Sequence, residues 1–108
     1  MDLIDANLFH RSLSILRHIV KSLIMEDCFV YIIYSAFLDK YYVGYSADLS
    51  KRMTEHNSGI STFTSKSSDW ELKYTERFLD RQSAQARERE IKKKKSRKYI
   101  EWLISSVG

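Results

Sequence analysis

Residues 29–34 read FVYIIY, a run in which every side chain is apolar or aromatic and three are β-branched. Such a run is too short for a stable helix and has the composition of a buried strand. Strict alternation places Tyr31 and Ile33 on one face and Ile32 and Tyr34 on the other. A strand of this kind must be covered, and the chain has little to spare. Its 108 residues, 44% hydrophobic and 30% charged, describe one small globular domain that can fold without a metal or disulfide staple.

The remaining elements follow from local pattern. Tyr41–Tyr45 (YYVGY) is a second strand, and Ser35–Lys40 between the two strands predicts a hairpin. Ser46 or Asp48 caps a helix running to about His56, and Asn57-Ser58-Gly59 stops it. Residues 60–69 (ISTFTSKSSD) read as a polar surface loop. Trp70, Leu72, Tyr74 and Phe78 alternate with polar residues and predict a third strand with one buried face. Arg81 to about Lys95 is helical, and Ser96 caps a last helix carrying Tyr99, Ile100, Leu103 and Ile104. Upstream, Phe9, Leu13, Leu16, Val20 and Leu23 recur at helical spacing. The predicted order is α-ββ-α-β-α-α. It is an α+β domain, a small three-stranded sheet flanked by helices over 28–108, with an extra amphipathic helix in a 1–27 extension.

Charge and cysteine usage narrow the function classes. The total is only +4, but residues 81–98 hold nine Lys/Arg against two Glu. A basic end on a mildly acidic body suits a polyanion, most simply nucleic acid. The apolar stretch Leu8–Met25 is interrupted by Arg11, Arg17, His18 and Lys21, which argues against a membrane span. A protein partner docked on residues 1–24 is an alternative use for that helix. The lone Cys28 cannot pair internally and fits a reducing compartment such as the cytoplasm.

Candidate chemistry sits in three places. Arg52 and His56, four apart on one helix, share a face beside Leu49 and Met53, at the edge of a helix–sheet interface. Ala84, Glu88, Ile91 and Lys95 form one stripe of the 81–95 helix, which turns Glu88 inward and Glu90 away from it. An inward carboxylate needs an ion pair, such as Glu88–Lys92, or a metal. The tyrosines of the hairpin, Tyr31, Tyr34, Tyr41, Tyr42 and Tyr45, are core aromatics with rim hydroxyls or site residues. Gly44 within a strand marks a place where another backbone or a ligand comes close. Motifs for zinc, CxxC redox chemistry or a phosphate-cradling glycine loop are absent from the sequence.

Taken in order, these blocks resemble the GIY-YIG nuclease superfamily, in particular its short single-domain bacterial members. Phe29-Val30-Tyr31 and Tyr42-Val43-Gly44 correspond to the two tripeptides. They are followed by DLSKRMTEHNSG (Asp48–Gly59), FTS (Phe63–Ser65), WELKYTERF (Trp70–Phe78) and AREREIKKKKSRKYIEWLI (Ala86–Ile104). The resemblance implies metal-dependent hydrolysis of DNA phosphodiesters, in repair or general processing. It implies catalytic roles for Tyr31, Tyr42, Arg52 and His56, and a metal-binding role for Glu88 with Mg²⁺ or Mn²⁺. Lys92, Lys93, Lys94, Lys95, Arg97 and Lys98 would then guide DNA. The sequence departs from the family pattern twice: Phe29 replaces the glycine of the first tripeptide, and no Asn follows Glu88. A non-catalytic nucleic-acid-binding module on the same fold is the competing expectation.

Overall fold

The computed structural model describes residues 27–107 together with residue 13 and residues 15–17, which are helical. Apart from those few residues, the amphipathic helix expected over 8–25 lies outside the described residues, and so does the expected partner surface at 1–24. The described elements are β1 (Cys28–Ser35), β2 (Lys40–Ser46), α1 (Leu49–Asn57), a 3₁₀ turn (Thr64–Lys66), β3 (Glu71–Phe78), α2 (Arg81–Lys93) and α3 (Arg97–Ser105). The strands form one antiparallel sheet in the order β2-β1-β3. This is the three-stranded α+β architecture that the pattern predicts.

The FVYIIY run becomes the central strand, and its alternation divides the interior into two small cores. Cys28, Val30 and Ile32 join Val43, and Ala84, Ile91 and Leu103 of α2 and α3 cover them. Burial there also pushes the Cys28 thiol up. On the other face Tyr31 and Ile33 pack with Trp70, Leu38 and Tyr42 under Leu49 and Met53 of α1. Tyr31, Ile32 and Ile33 are each essentially fully buried. Residues of this size contribute about 1.5–3 kcal/mol apiece when buried, which explains why this strand organises the domain.

Capping sets the helix starts. Asp48, not Ser46, caps α1 by accepting the Lys51 N–H at 3.0 Å, and Gly59 supplies the left-handed stop at φ +82°. Asp80 and Ser96 cap α2 and α3 in the same way. α2 ends at Lys93, earlier than the periodicity suggests, and Lys95 takes a left-handed conformation at φ 47°. The inward stripe of α2 therefore stops at Ile91, and Lys95 is exposed.

Two expectations are corrected by long-range packing. The β1–β3 register shifts so that Ile32 pairs with Tyr74 and Ile33 with Leu72, leaving Lys73 unpaired between them. A bulge of one residue reverses the side-chain alternation across it. Trp70, Leu72, Tyr74 and Phe78 thus do not share one buried face. Trp70 joins the α1-side core, Tyr74 and Phe78 the other, and Leu72 is exposed. Residues 60–69 are also more than a surface loop, because Thr64 at their centre is fully buried.

Candidate active site

Tyr31 lies on the face of β1 that α1 covers, opposite Gly44 of the edge strand β2. A Cβ built on Gly44 would stand 2.5 Å from the Tyr31 hydroxyl and 2.7 Å from its Cζ. The expectation of a close approach at Gly44 is met by this phenol, not by a backbone or a ligand. Only a residue without a side chain lets the ring lie across the edge strand.

The phenol ends in a chain of hydrogen bonds. Arg52 Nε donates to Tyr31 Oη at 3.3 Å, and Tyr31 Oη lies 2.7 Å from His56 Nε2. His56 Nδ1 in turn lies 2.7 Å from Thr64 Oγ1. One proton arrangement satisfies all four groups: Arg52 donates to Tyr31, Tyr31 donates to Nε2, and Nδ1–H donates to Thr64. The spacing in α1 explains why Arg52 and His56 both face the phenol, since residues four apart are neighbours on a helix.

His56 is not at the edge of the helix–sheet interface, as helical spacing suggested, but fully enclosed. The 3₁₀ turn closes over it. Trp70 Nε1 donates to the Thr64 carbonyl at 2.9 Å, and the Asn57 amide holds the Trp70 backbone on both sides, at 2.8 and 3.1 Å. A second clamp fixes the far side of the turn. The Asp69 carboxylate accepts from Ser35 Oγ at 2.5 Å, from the Phe37 N–H at 2.9 Å and from Ser67. These donors hold Asp69 down at about 2.

Burial governs both titratable partners. It pushes the Tyr31 phenol up to about 12 against the pull of Arg52. It also holds the His56 imidazole down at about 4, with the Arg52 charge acting in the same direction. The resting pair is a neutral phenol on a neutral imidazole. Because His56 is protonated more readily in the unfolded chain, near 6.5, than in the fold, near 4, its contribution to stability is complete above pH about 6.5. It is lost as the pH falls towards about 4, and amounts to about 3 kcal/mol. Thermal melts between pH about 7 and 4 should show this slope, and His56→Gln should flatten it. A parent melting temperature constant over that range would contradict the assignment.

Tyr42 completes the aromatic wall. Its ring centroid is 5.1 Å from His56 in an edge arrangement and 6.4 Å from Tyr31. Its hydroxyl has no protein partner among the described residues. Glu88 reaches the same place from α2, at the open edge of β2. A cleft of about 230 Å³ is lined by Tyr31, Tyr42, Gly44, Tyr45, Arg52, Arg81 and Glu88. The Glu88 side chain is only 14% exposed, and its carboxylate meets Lys92 Nζ at 2.8 Å. The i, i+4 ion pair is therefore present, and it stands at the cleft. Glu90 points away and pairs with Arg87.

The residues singled out in the sequence do not all converge. Tyr31, Tyr42, Gly44, Arg52 and Glu88 share the cleft, with His56 directly behind Tyr31. Lys93, Lys94, Lys95 and Lys98 are exposed along and beyond the end of α2. Arg97 is engaged, bound to Asp39 at 2.7 Å and to Glu101 at 3.3 Å, and it ties α3 to the hairpin turn. Thr64, which falls in the FTS block but is given no role there, and Arg81 are missing from the site residues that the sequence singles out. Arg81 could have been found, because it precedes Glu88 by seven residues and so shares its helix stripe. Thr64 has no local signal, since a threonine in a polar loop looks like any other.

The donor set fits one kind of metal. Among the described residues, three or more His, Cys, Asp or Glu side chains nowhere gather in a cluster that could hold an ion. A single half-enclosed carboxylate beside a water-accessible cleft matches Mg²⁺ or Mn²⁺, ions that keep several waters and take substrate phosphate as a ligand. It does not match zinc. Among the described residues, no helix is long and apolar enough to cross a membrane.

Comparison with known protein families matches the chain to the model described as the GIY-YIG catalytic domain, over residues 27–100. No curated protein and no solved structure matches the chain. That match spans most of the chain, including every strand and the helices carrying Arg52, His56 and Glu88. The chain accordingly belongs to the GIY-YIG nuclease superfamily.

Proposed function

We propose that this chain is a metal-dependent DNA endonuclease that hydrolyses phosphodiester bonds with activated water. One observation carries the reading: Tyr31, Tyr42, Arg52 and Glu88 meet in one cleft while the Tyr31 hydroxyl is bonded to a neutral, buried imidazole.

The geometry supports one set of roles. Arg52, a fixed guanidinium at the cleft wall, holds the non-bridging oxygens of the scissile phosphate, whose charge grows in the transition state. Tyr31 is protonated at rest. It accepts the proton of the attacking water as it passes its own to His56 Nε2, over the 2.7 Å bond already formed. The negative charge of a bound phosphate offsets the Arg52 charge that depresses His56, so the transfer is easier with DNA in place. Tyr42, which lines the cleft and whose hydroxyl has no partner among the described residues, orients the water. Glu88 would hold the divalent cation, displacing Lys92, and the cation would polarise the phosphate and stabilise the leaving 3′ oxygen. The exposed lysines at 92–95 and 98 attract the DNA backbone. The described residues hold one compact domain whose DNA preference would come from DNA shape or from a partner, which favours repair or general processing over strict sequence recognition.

The test is a cleavage panel of linear, nicked, flapped and branched DNA with Mg²⁺ or Mn²⁺ and with EDTA. Cleavage of one substrate that EDTA abolishes is the expected result, and no cleavage of any sinks the enzyme reading. The existing Glu88–Lys92 pair favours a second reading, a non-catalytic DNA-binding module, since the carboxylate is already neutralised. Binding with a steep salt dependence and no effect of metal would select that module.

A further inference from the structure

The 3₁₀ turn that buries Thr64 beneath His56 displays its neighbour, Phe63, outward. Phe63 is 56% exposed, yet its ring lies 5.4 Å from that of Tyr42 at the cleft. A single exposed aromatic needs no explanation by itself. Three further features set this one apart. It directly precedes Thr64, whose hydroxyl is bonded to His56 and whose carbonyl to Trp70, so the ring projects beside a residue fixed on two sides. It stands as a ridge between two troughs, one of about 380 Å³ bounded by Leu38, Lys40 and Lys66 and one of about 290 Å³ bounded by Tyr41, Lys92 and Lys95. And the cations along both troughs are lysines, with Lys92 also lying over the Tyr42 ring at 5.7 Å.

An apolar ridge flanked by ammonium groups matches a strand whose bases are free to stack and whose phosphates run on either side. A paired duplex satisfies the lysines but keeps its bases internal, and it leaves Phe63 without a partner. We infer that Phe63 is a stacking platform for an unpaired base next to the scissile phosphate, so that the preferred substrate is DNA with a single-stranded or flapped segment at the cut. The inference rests on the reading of this cleft as a DNA site and names the substrate class for it. Sequence alternation could not show it, because FTS lies in a loop where burial of Thr64, not periodicity, decides which way its neighbour points.

The experiment is done in EDTA, so that binding is measured whether or not the protein cuts. A single-stranded oligonucleotide carrying one fluorescent adenine analogue, and its duplex, are titrated with the parent protein, Phe63→Ala and Phe63→Trp. The parent should quench the analogue in the single strand. Phe63→Ala should lose the quenching and about fivefold to a hundredfold in single-strand affinity, with duplex affinity changed less than about twofold. Phe63→Trp should restore both. Equal losses on single strand and duplex, or no loss on either, would overturn the platform. The metal-dependent cleavage panel reads the nuclease function separately, so loss of either result leaves the other interpretable.

Discussion

Glu88→Gln should abolish DNA cleavage, a loss of at least about 10³-fold, while DNA binding survives or tightens. The carboxylate is the one acid lining the cleft, and replacing it by an isosteric amide removes the charge needed to hold a divalent cation without leaving a cavity. Losing a negative charge beside the phosphate path reduces repulsion, so affinity should not fall. The fold should be intact, because the Glu88–Lys92 pair it breaks is half exposed on the lysine side and contributes little. Arg52→Ala is the companion variant. It removes the guanidinium that touches Tyr31 at the cleft wall and that is proposed to hold the phosphate, and it should also abolish cleavage with binding retained. Cleavage within about tenfold of the parent for Glu88→Gln would place the metal on other residues. Loss of binding together with cleavage would mean that the cleft is a binding surface first.

Gly44→Ala is the second large expected effect, and a methyl group is its whole cause. Its Cβ would lie 2.5 Å from Tyr31 Oη and 2.7 Å from Cζ, distances that no carbon tolerates. The ring cannot yield cheaply. It is buried on both sides and anchored by His56 and Arg52. Either the ring swings away from His56 or the two strands separate. Overpacking of this kind costs about 1–3 kcal/mol of stability. Displacing the phenol by about 1 Å should cost about 10²-fold in cleavage. Melting temperature and single-turnover cleavage check the two parts, and full retention of both would mean that the close approach is not required.

The candidate site was legible in the sequence where each residue carries its own local signal. Arg52 and His56 at i, i+4, and Glu88 on a stripe with Ala84 and Ile91, are properties of one helix each. Tyr31 and Gly44 are different. Gly44 signals a close approach and Tyr31 a candidate site aromatic, but that the one meets the other exists only because the hairpin register sets them opposite each other. The burial of His56 was misjudged for a similar reason. Its own helix leaves it at a boundary, and the cover comes from Thr64, eight residues on in a segment with no periodicity to read.

The sequence by itself determined the elements and their order. The FVYIIY run demands a buried strand, Ser46 or Asp48 starts one helix and Ser96 another, and Gly59 stops one, because these preferences act over a single turn or pleat. Only the tertiary structure decided on which side of the sheet Trp70, just ahead of β3, packs, since the one-residue bulge at Lys73 reverses alternation and depends on pairing with β1. It alone also decided that the His56 imidazole is held down, that the Tyr31 phenol is pushed further up, and that Glu88 of one layer meets Tyr31 of the other across the edge of β2. Those properties are set by desolvation and by contacts between distant segments, and neither leaves a trace in local spacing.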